Sequence, residues 1–349
     1  MRRIRYLPVA PAAAVVLLSA SLSPASAASA DAQVPSLSHV FLIVGENTQL
    51  SQLNAGNAPY MTAAMTGTQW ASLTDYWATT HYSESNYVAM TSGQFTACQQ
   101  KDGTAANCHQ DVDNLFHQLF TAGKTFTTWS ESMPNACHLL NTGGRAGLNH
   151  YAAKHNPQLF FDNVEGNAVT PVGANPSGWL DNGNTQGGTF CQATNISASV
   201  SGSTPNDMSV FDGALAGTAG SPAISDFNLV VPNECEDAHD NCSPAGNPIT
   251  QFDNFLAQEV PKIQDYINHN GGLLLVTFDE GVTSSPVRAV KFENGGNVMF
   301  LAWGPQVHPA VYTANHNHYG LLRTLEDGYG VGYVANANNV PPISEIWNP

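Results

Sequence analysis

The sequence predicts an α/β fold, a doubly wound and mostly parallel sheet with helices on both faces. Short, continuously apolar runs recur along the chain, as expected of strands that are covered on both sides. Between them lie segments whose apolar residues are spaced three and four apart, which is typical of helices. This alternation favours a parallel sheet with crossover helices. A chain of 349 residues has room for one large domain of this kind or for two smaller ones.

The elements can be placed in order along the chain. The predicted strands are residues 39–44, 125–129, 227–231, 273–278 and 298–303. The predicted helices are residues 113–122, 249–267 and 319–326. Pro261 is expected to kink or break the second of these helices. Residues 163–222 are rich in Gly, Asn, Ser and Thr, which indicates a long surface segment that crosses one face of the sheet.

Composition narrows the class of protein. The chain has 11 Lys and Arg against 27 Asp and Glu, a formal net charge of −16. A nucleic-acid binder neutralises phosphates with many cations, so this balance argues against a nucleic-acid partner. Hydrophobic residues make up 42% of the chain, which is enough for a real core and excludes a disordered chain.

The first thirty residues have the layout of a secretory signal peptide. Three arginines among the first five residues precede an apolar run at 9–22, and small-residue sites follow at 25–30. A membrane anchor is the weaker alternative, because the run is shorter than the ~20 residues of a spanning helix and prolines interrupt or flank it. We therefore expect residues 1–30 to be removed and residues 31–349 to form a single secreted domain without stable membrane insertion.

The six cysteines fit an exported protein. An even number of cysteines in such a chain indicates disulfides, and neighbours in sequence are the preferred pairs among the fifteen pairings that six cysteines allow. A zinc site is less favoured, since no C-x₂-C spacing occurs. The preferred pairs are Cys98–Cys108, Cys137–Cys191 and Cys235–Cys242.

Acidic residues follow two of the predicted strands. Glu46 and Asn47 come after the first strand, and Asp279 and Glu280 come after the most apolar one. Ligands of doubly wound sheets bind at the carboxyl ends of strands, where paired carboxylates can hold a hard cation. Each acid alone could equally be a solvated loop residue or a helix N-cap.

Two further segments carry chemistry-bearing side chains. A serine-rich turn at residues 79–86 leads into an apolar helical pattern, and a serine at a helix start lies beside free N–H groups that favour phosphate. The alternative there is an ordinary N-cap serine. His316 and His318 precede the last predicted helix and could be ligands or paired surface histidines.

Four segments together resemble a known family. They are VGENTQ at 44–49, THYSESNYVAMTSG at 80–93, VTFDEG at 276–281 and HNHYGLLRTLED at 316–327. In this order they resemble the bacterial phosphoesterase family of the alkaline-phosphatase superfamily. This family includes both secreted acid phosphatases and phospholipases C. The chain is most similar to the mycobacterial secreted acid phosphatase group. The resemblance implies a sheet of the alkaline-phosphatase type.

The resemblance also implies a metal site. A divalent ion is expected. Oxygen ligands favour Ca²⁺, Mg²⁺ or Mn²⁺, and Zn²⁺ becomes a better fit if histidines coordinate the ion. The acids and the amide after the two strands match the family's ligands, and an acid and a histidine after residues 227–231 are added by analogy. The implied metal ligands are Glu46, Asn47, Asp279, Glu280, Asp237 and His239.

The same resemblance assigns catalytic and substrate-binding roles. Ser83 matches the nucleophile, and Asn86 matches an asparagine that binds a phosphoryl oxygen in related enzymes. His318 matches the histidine before the last helix and could protonate the leaving group or steady the phosphate. His155 is a candidate substrate contact, although a capping or surface histidine fits as well. His316 is the second candidate for substrate binding, and it matches the family's histidine less well than His318 does.

The function implied is that of a secreted, metal-dependent phosphoric monoester hydrolase that acts through a seryl-phosphate. Its substrate would be a small phosphomonoester or a phospholipid head group. A phospholipase C or phosphodiesterase on the same scaffold is the first alternative, although the short Glu46-Asn47-Thr48-Gln49 motif favours the phosphatase branch. A non-catalytic exported protein whose acids hold calcium is the second.

Overall fold

The central feature of the fold is a mixed sheet of eight strands among the described residues. The computed structural model describes residues 33–95, 98, 101–142, 150–174, 185–200, 207–243, 246–282 and 292–348. The strands are β1 Val40–Gly45, β2 Ala71–Trp77, β3 Phe126–Ser130, β4 Asn195–Ser197, β5 Phe227–Val231, β6 Leu273–Phe278, β7 Phe300–Trp303 and β8 Ala310–Asn317. Their order across the sheet is β4-β3-β5-β1-β6-β7-β2-β8. Only β7 runs antiparallel to its neighbours among these strands.

Helices cover the sheet in two groups. They are α1 Pro59–Ala64, α2 Ser83–Ser92, α3 Ala105–Cys108, α4 Leu115–Thr121, α5 Asp162–Glu165, α6 Thr189–Thr194, α7 Ser209–Leu215, α8 Pro248–Asn270 and α9 His318–Tyr329. Helices α2, α4 and α9 contact one another, while α1 and α7 contact α8. Every residue of β1, β3, β5 and β6 is buried, as expected of strands covered on both faces. The predicted fold class is confirmed.

The buried central strands agree best with the predictions. Strands β5 and β6 have the predicted bounds, and β1 and β3 are displaced by a single residue or less at each end. Strands β2, β4 and β8 were not predicted. Strand β8 lies at an edge and is largely exposed, so it lacks the apolar run that marks a buried strand. Strand β4 lies within residues 163–222, so this segment is more than a surface excursion because it adds the opposite edge strand.

Of the two outcomes expected for Pro261, a kinked or a broken helix, the break does not occur. Helix α8 continues from Pro248 to Asn270 with Pro261 inside it. Proline removes the hydrogen bond to the carbonyl four residues earlier, here that of Ala257. Both Pro261 and Ala257 lie on the exposed side of the helix, where water can bind the freed carbonyl. The buried stripe on the other side keeps its packing, so the helix stays continuous.

The predicted disulfide pairs are present. The paired Cα atoms lie 5.2 Å apart for Cys98–Cys108, 5.6 Å for Cys137–Cys191 and 5.5 Å for Cys235–Cys242. Such bonds persist in oxidising compartments, so they fit a secreted protein. The predicted signal peptide lies outside the described residues. Within the described ranges, no helix combines the length and the apolar character needed to cross a membrane.

Candidate active site

Three acidic side chains converge at the carboxyl edge of the sheet centre. Glu46 follows β1 and Asp279 follows β6, and these two strands pair in parallel. Asp237 comes from the segment after β5, which pairs with β1 on its other side. A backbone hydrogen bond of 2.6 Å from the Glu46 N–H to the Asp237 carbonyl ties the two segments together. The strand order therefore brings together acids that are far apart in sequence.

Ser83 is presented to these acids at the first residue of α2. Its hydroxyl donates a 2.7 Å hydrogen bond to Glu46 Oε2, and both side chains are buried. The preceding residue, Tyr82, has a φ of 79°, a conformation that is strained for a residue with a side chain. The Tyr82 N–H is held by Glu280 Oε2 at 3.1 Å, which fixes the strained turn. The turn holds the serine hydroxyl at the acidic edge.

The side chain of Asn86 organises the loop before this serine. Its Oδ1 accepts hydrogen bonds from the N–H groups of Thr79 and Thr80 at 3.2 and 3.1 Å. Its Nδ2 donates to the carbonyls of Thr80 and Tyr82 at 2.9 and 3.3 Å. The amide is thus occupied by the loop backbone, so in this structure Asn86 shapes the turn that carries Ser83. Direct contact of Asn86 with a phosphoryl oxygen stays a prediction.

A buried metal-type cluster adjoins the serine. Ligand atoms of Glu46, His155 and Asp237 all lie within 4.8 Å of one another. His155 lies between the two acids, with Nε2 3.3 Å from Glu46 Oε1 and Nδ1 3.2 Å from Asp237 Oδ2. Its ring stacks on Tyr87 with centroids 5.3 Å apart.

Several atoms of this cluster lack hydrogen-bond partners among the described residues. They are Glu46 Oε1, Asp237 Oδ2, Asp279 Oδ2 and both ring nitrogens of His155. Buried polar atoms without partners are costly, and a bound cation would satisfy the carboxylate oxygens together with one of the two ring nitrogens, which point away from each other. The donor set therefore fits a divalent metal ion.

The electrostatics of the cluster agree with such a fit. Burial raises the pKa of Glu46 well above its ordinary value, and the nearby Asp279 and Asp237 raise it further. Burial likewise raises the pKa of Asp237 and of Asp279. Burial lowers the pKa of His155, with Lys154 and His239 adding to the effect, so this imidazole is neutral and has a lone pair to offer. Without a cation, the carboxylates repel one another.

His155 was predicted as a substrate contact, and its position between two acids was not foreseen. It lies at the end of the short 3₁₀ turn Ala153–His155. No predicted strand precedes this turn, and the sequence Lys154-His155-Asn156-Pro157 has no metal-ligand spacing. The sequence signal was a lone histidine, which is also common on surfaces.

The other residues predicted as ligands lie around the cluster. Asn47 donates its N–H to Asp279 Oδ1 at 3.0 Å and places its Nδ2 3.4 Å from Glu46 Oε2. Glu280 is turned toward His81 Nδ1, 2.6 Å away, and to the Tyr82 N–H. His239 is 2.9 Å from Asp240 and partly exposed. Metal ligation by these residues stays a prediction.

His318 lies behind Asp279. Its Nε2 donates to the Asp279 backbone carbonyl at 2.6 Å, and its Nδ1 accepts from the Tyr76 hydroxyl at 3.0 Å. Burial lowers the pKa of His318 to about 4, so the ring is neutral at ordinary pH. With both nitrogens occupied, this arrangement supports a role in positioning Asp279 rather than in proton donation. The other histidine, His316, lies 3.0 Å from Glu345 and lines a separate cavity with Phe292.

Known proteins resemble the chain in sequence and in fold. It matches no protein-family model. The phosphatidylinositol-3-phosphatase of Mycobacterium tuberculosis is 27% identical over 315 residues, covering 90% of this chain and 84% of that protein. The phosphate-repressible acid phosphatase of Penicillium chrysogenum is 27% identical over 261 residues, covering 74% of this chain and 52% of that protein. A solved protein of the alkaline phosphatase superfamily from Vibrio parahaemolyticus superposes with a TM-score of 0.52 at 12% identity, covering 85% of this chain and 67% of that one.

The chain is a phosphatase with a fold like that of a solved member of the alkaline phosphatase superfamily. The solved structure establishes the fold, and the relatives, all named as phosphatases, establish the enzyme class. This result sets aside the alternative of a non-catalytic protein that merely holds calcium. Enzymes of this superfamily generally depend on divalent metals, which agrees with the buried donor set of the phosphoesterase.

We predict that His318→Gln lowers the kcat of the phosphoesterase by about 10- to 100-fold, the range expected when a supporting contact of a ligand is lost. The pH profile should keep its shape above its acidic end, because burial lowers the pKa of His318 to about 4 and the ring is neutral at higher pH. Tyr76→Phe removes the donor to Nδ1 and should cause a smaller loss of the same kind. Steady-state rates from pH 4 to 9 measure both effects. Disappearance of the basic limb of the profile in His318→Gln would instead identify His318 as the proton donor.

Proposed function

We propose that this phosphoesterase is a secreted, metal-dependent phosphoric monoester hydrolase that forms a seryl-phosphate on Ser83. The observation that carries the proposal is the Ser83 hydroxyl, 2.7 Å from Glu46 at the start of a helix and beside a buried cluster of unpartnered ligand atoms. Nucleophile, anion-binding helix terminus and cation site then occupy a single edge of the sheet. Secretion is supported by the N-terminal signal pattern and the disulfides.

A metal ion is needed on electrostatic grounds. Glu46, Asp237 and Asp279 place three buried carboxyl groups where an anionic phosphate would have to bind. Like charges at such short range cost several kcal/mol in a buried site, so phosphate could not approach them without a cation. We propose that these acids and His155 hold the ion, which would neutralise phosphate oxygens and lower the pKa of the serine hydroxyl. Oxygen ligands with an imidazole suit Mn²⁺ or Zn²⁺.

The reaction would proceed in two steps that use the chain's own groups. Ser83 Oγ attacks phosphorus, its proton passes to Glu46 Oε2, and the bond between phosphorus and the alcohol oxygen breaks. The alcohol leaves with a proton from solvent. Water then attacks phosphorus and releases a proton to solvent, the bond between phosphorus and Ser83 Oγ breaks, and Ser83 regains its proton from Glu46. N–H groups in the first turn of α2, apart from that of Glu84, which donates to Asp102, would bind phosphate oxygens in both steps.

A polar cavity beside the serine supports a polar leaving group. Asp102 accepts a 3.2 Å hydrogen bond from the N–H of Glu84, which follows the nucleophile, and a 3.0 Å bond from Lys154 Nζ. Asp102 and Lys154 line a cavity of about 500 Å³ together with Asn107 and Asn141. We propose that it receives the hydroxyl-rich alcohol of a small phosphomonoester or a phospholipid head group. The name of the mycobacterial relative, a phosphatidylinositol-3-phosphatase, agrees with this substrate class.

A comparison of a monoester with a diester tests the proposal. We expect the purified protein to hydrolyse p-nitrophenyl phosphate with a kcat/KM at least about tenfold above that for p-nitrophenyl phosphorylcholine. EDTA should remove the activity, and a divalent ion should restore it. A higher rate with the diester would favour the phospholipase C or phosphodiesterase alternative. Full activity after exhaustive chelation would contradict metal dependence.

A further inference from the structure

We propose that the phosphoesterase has a second metal site, formed by His150, Glu234 and Asp240, which we call the outer cluster. One imidazole and two carboxylates form a donor set that binds Zn²⁺ in proteins. A fourth position would remain for water or for the neighbouring His239. The ion would hold together two segments of the chain and has no part in the phosphate chemistry.

The three side chains already have the spacing of a metal site. A ligand atom from each lies within 4.8 Å of those from the other two. His150 Nδ1 is 3.4 Å from Asp240 Oδ2. His239 approaches from the other side, with Nδ1 2.9 Å from Asp240 Oδ1 and 4.0 Å from Glu234 Oε1. The atoms could thus close on a cation with small side-chain adjustments.

The unpartnered ring nitrogen of His150 is an independent indication that this residue is a metal ligand. Its side chain is 7% exposed, and its Nδ1 has no hydrogen-bond partner in the part of the chain that the structure describes. A simple ion pair would satisfy this nitrogen through a hydrogen bond to Asp240, and that bond is not formed. A buried imidazole nitrogen without a partner is destabilising, and coordination would satisfy it.

Hydrogen bonds and a disulfide hold the backbone around the outer cluster without any ion. The Glu234 N–H donates to the His150 carbonyl at 3.0 Å, and the Asp240 N–H donates to the Glu234 carbonyl at 2.7 Å. The Cys235–Cys242 disulfide closes the same loop. Its sulfurs lie near His150 but are oxidised and cannot act as thiolate ligands. An ion here would therefore bind to a loop that already has its shape.

The outer cluster is separate from the cluster beside the serine. Asp237 lies between Glu234 and Asp240 in sequence, yet its carboxylate faces Glu46 and His155. The two clusters adjoin through His155 and His239, whose ring centroids are 6.0 Å apart. The inference does not depend on the proposed hydrolase mechanism, because a chain that binds two ions without turnover would still support it.

Calorimetric titration of metal-free protein with Zn²⁺, with metal content after dialysis, tests the inference. We expect the wild-type protein to bind Zn²⁺ in two classes of site. His150→Gln and the isosteric Asp240→Asn should each lose one class, with affinity at least about tenfold weaker, and keep the other. Asp279→Asn should lose the opposite class. The matched control is His117→Gln, which disrupts an ordinary His–Asp pair of 2.7 Å on α4 and should leave both classes unchanged.

Two results would overturn the inference. One is unchanged Zn²⁺ stoichiometry and affinity in both His150→Gln and Asp240→Asn, with circular dichroism confirming that they are folded. The other is a single class of site in the wild-type protein that Asp279→Asn alone removes. If His150→Gln does not fold, Asp240→Asn decides, because it preserves side-chain volume and the partly exposed Asp240 tolerates an amide.

Discussion

Ser83→Ala is expected to lower kcat by about 10⁴-fold or more, because it removes the atom that attacks the substrate in the first step of the proposed mechanism. The change deletes one hydroxyl at the start of α2 and its 2.7 Å hydrogen bond to Glu46. Substrate binding should survive, since the helix terminus and the acidic cluster remain. We therefore expect kcat to fall far more than KM changes, and metal content to stay at the wild-type level.

The matched control for this loss is Ser85→Ala. Ser85 is also buried on α2, two residues further along, and its hydroxyl has no hydrogen-bond partner among the described residues. Its removal should leave kcat within a few-fold of wild type. Acid quenching with labelled monoester should also trap phosphate on the peptide that contains Ser83. Turnover by Ser83→Ala at the wild-type rate, or label on another residue, would contradict the nucleophile assignment.

The sequence could predict the sheet centre because burial and apolar composition coincide there. Strands β5 and β6 are buried throughout, so their apolar runs mark their ends. Edge strands have no such mark. In β8 half of the residues are exposed, and its pairing with β2 is a long-range contact that no local pattern encodes. Pro261 is the converse case, in which the packing of the long helix α8 keeps it continuous although a proline can break a helix.

Two acids of the candidate site could be placed because they directly follow strands, whereas the contacts that its histidines make could not. Glu46 and Asp279 are fixed by the ends of two paired strands. His155 reaches the cluster from a 3₁₀ turn, and only the folded chain brings it between two acids. His318 follows the predicted position in sequence, but the direction of its ring depends on Tyr76, a residue of the unpredicted strand β2. Side-chain direction was thus the main information that the sequence lacked.

Asp279→Asn should reduce turnover by about 10³-fold, the loss expected when several kcal/mol of metal-based stabilisation is removed. Oδ1 of Asp279 accepts the N–H groups of Asn47 and Glu280, and an asparagine oxygen can keep both contacts. Oδ2 is buried without a partner, and replacing it with an amide removes one charge from the proposed ligand set. Metal analysis should show a lost or weakened ion together with the lost activity.

The same substitution should stabilise the metal-free protein. Burial is the main cause, and the charge of Glu280 the next, of a pKa of Asp279 above its unfolded value. Ionised Asp279 therefore destabilises the folded state at neutral pH. This destabilisation grows as pH rises above the unfolded pKa, and Asp279→Asn removes it. We expect a gain of about 1 kcal/mol or more in the free energy of unfolding after chelation at pH 7, and a smaller gain at pH 4.

Asp253→Asn is the matched control, with effects of opposite sign. Asp253 is also a buried carboxylate, but both of its oxygens accept N–H groups at the start of α1, from Tyr60 and Met61 at 3.0 and 2.8 Å. Its amide variant loses an acceptor and should be less stable by about 1 kcal/mol while keeping activity and metal. Urea unfolding and turnover of both variants measure this crossed pattern. If both substitutions lower the free energy of unfolding of the metal-free protein equally, Asp279 is an ordinary structural carboxylate. A metal ligand would instead destabilise the fold when its cation is absent, so its removal would raise that free energy.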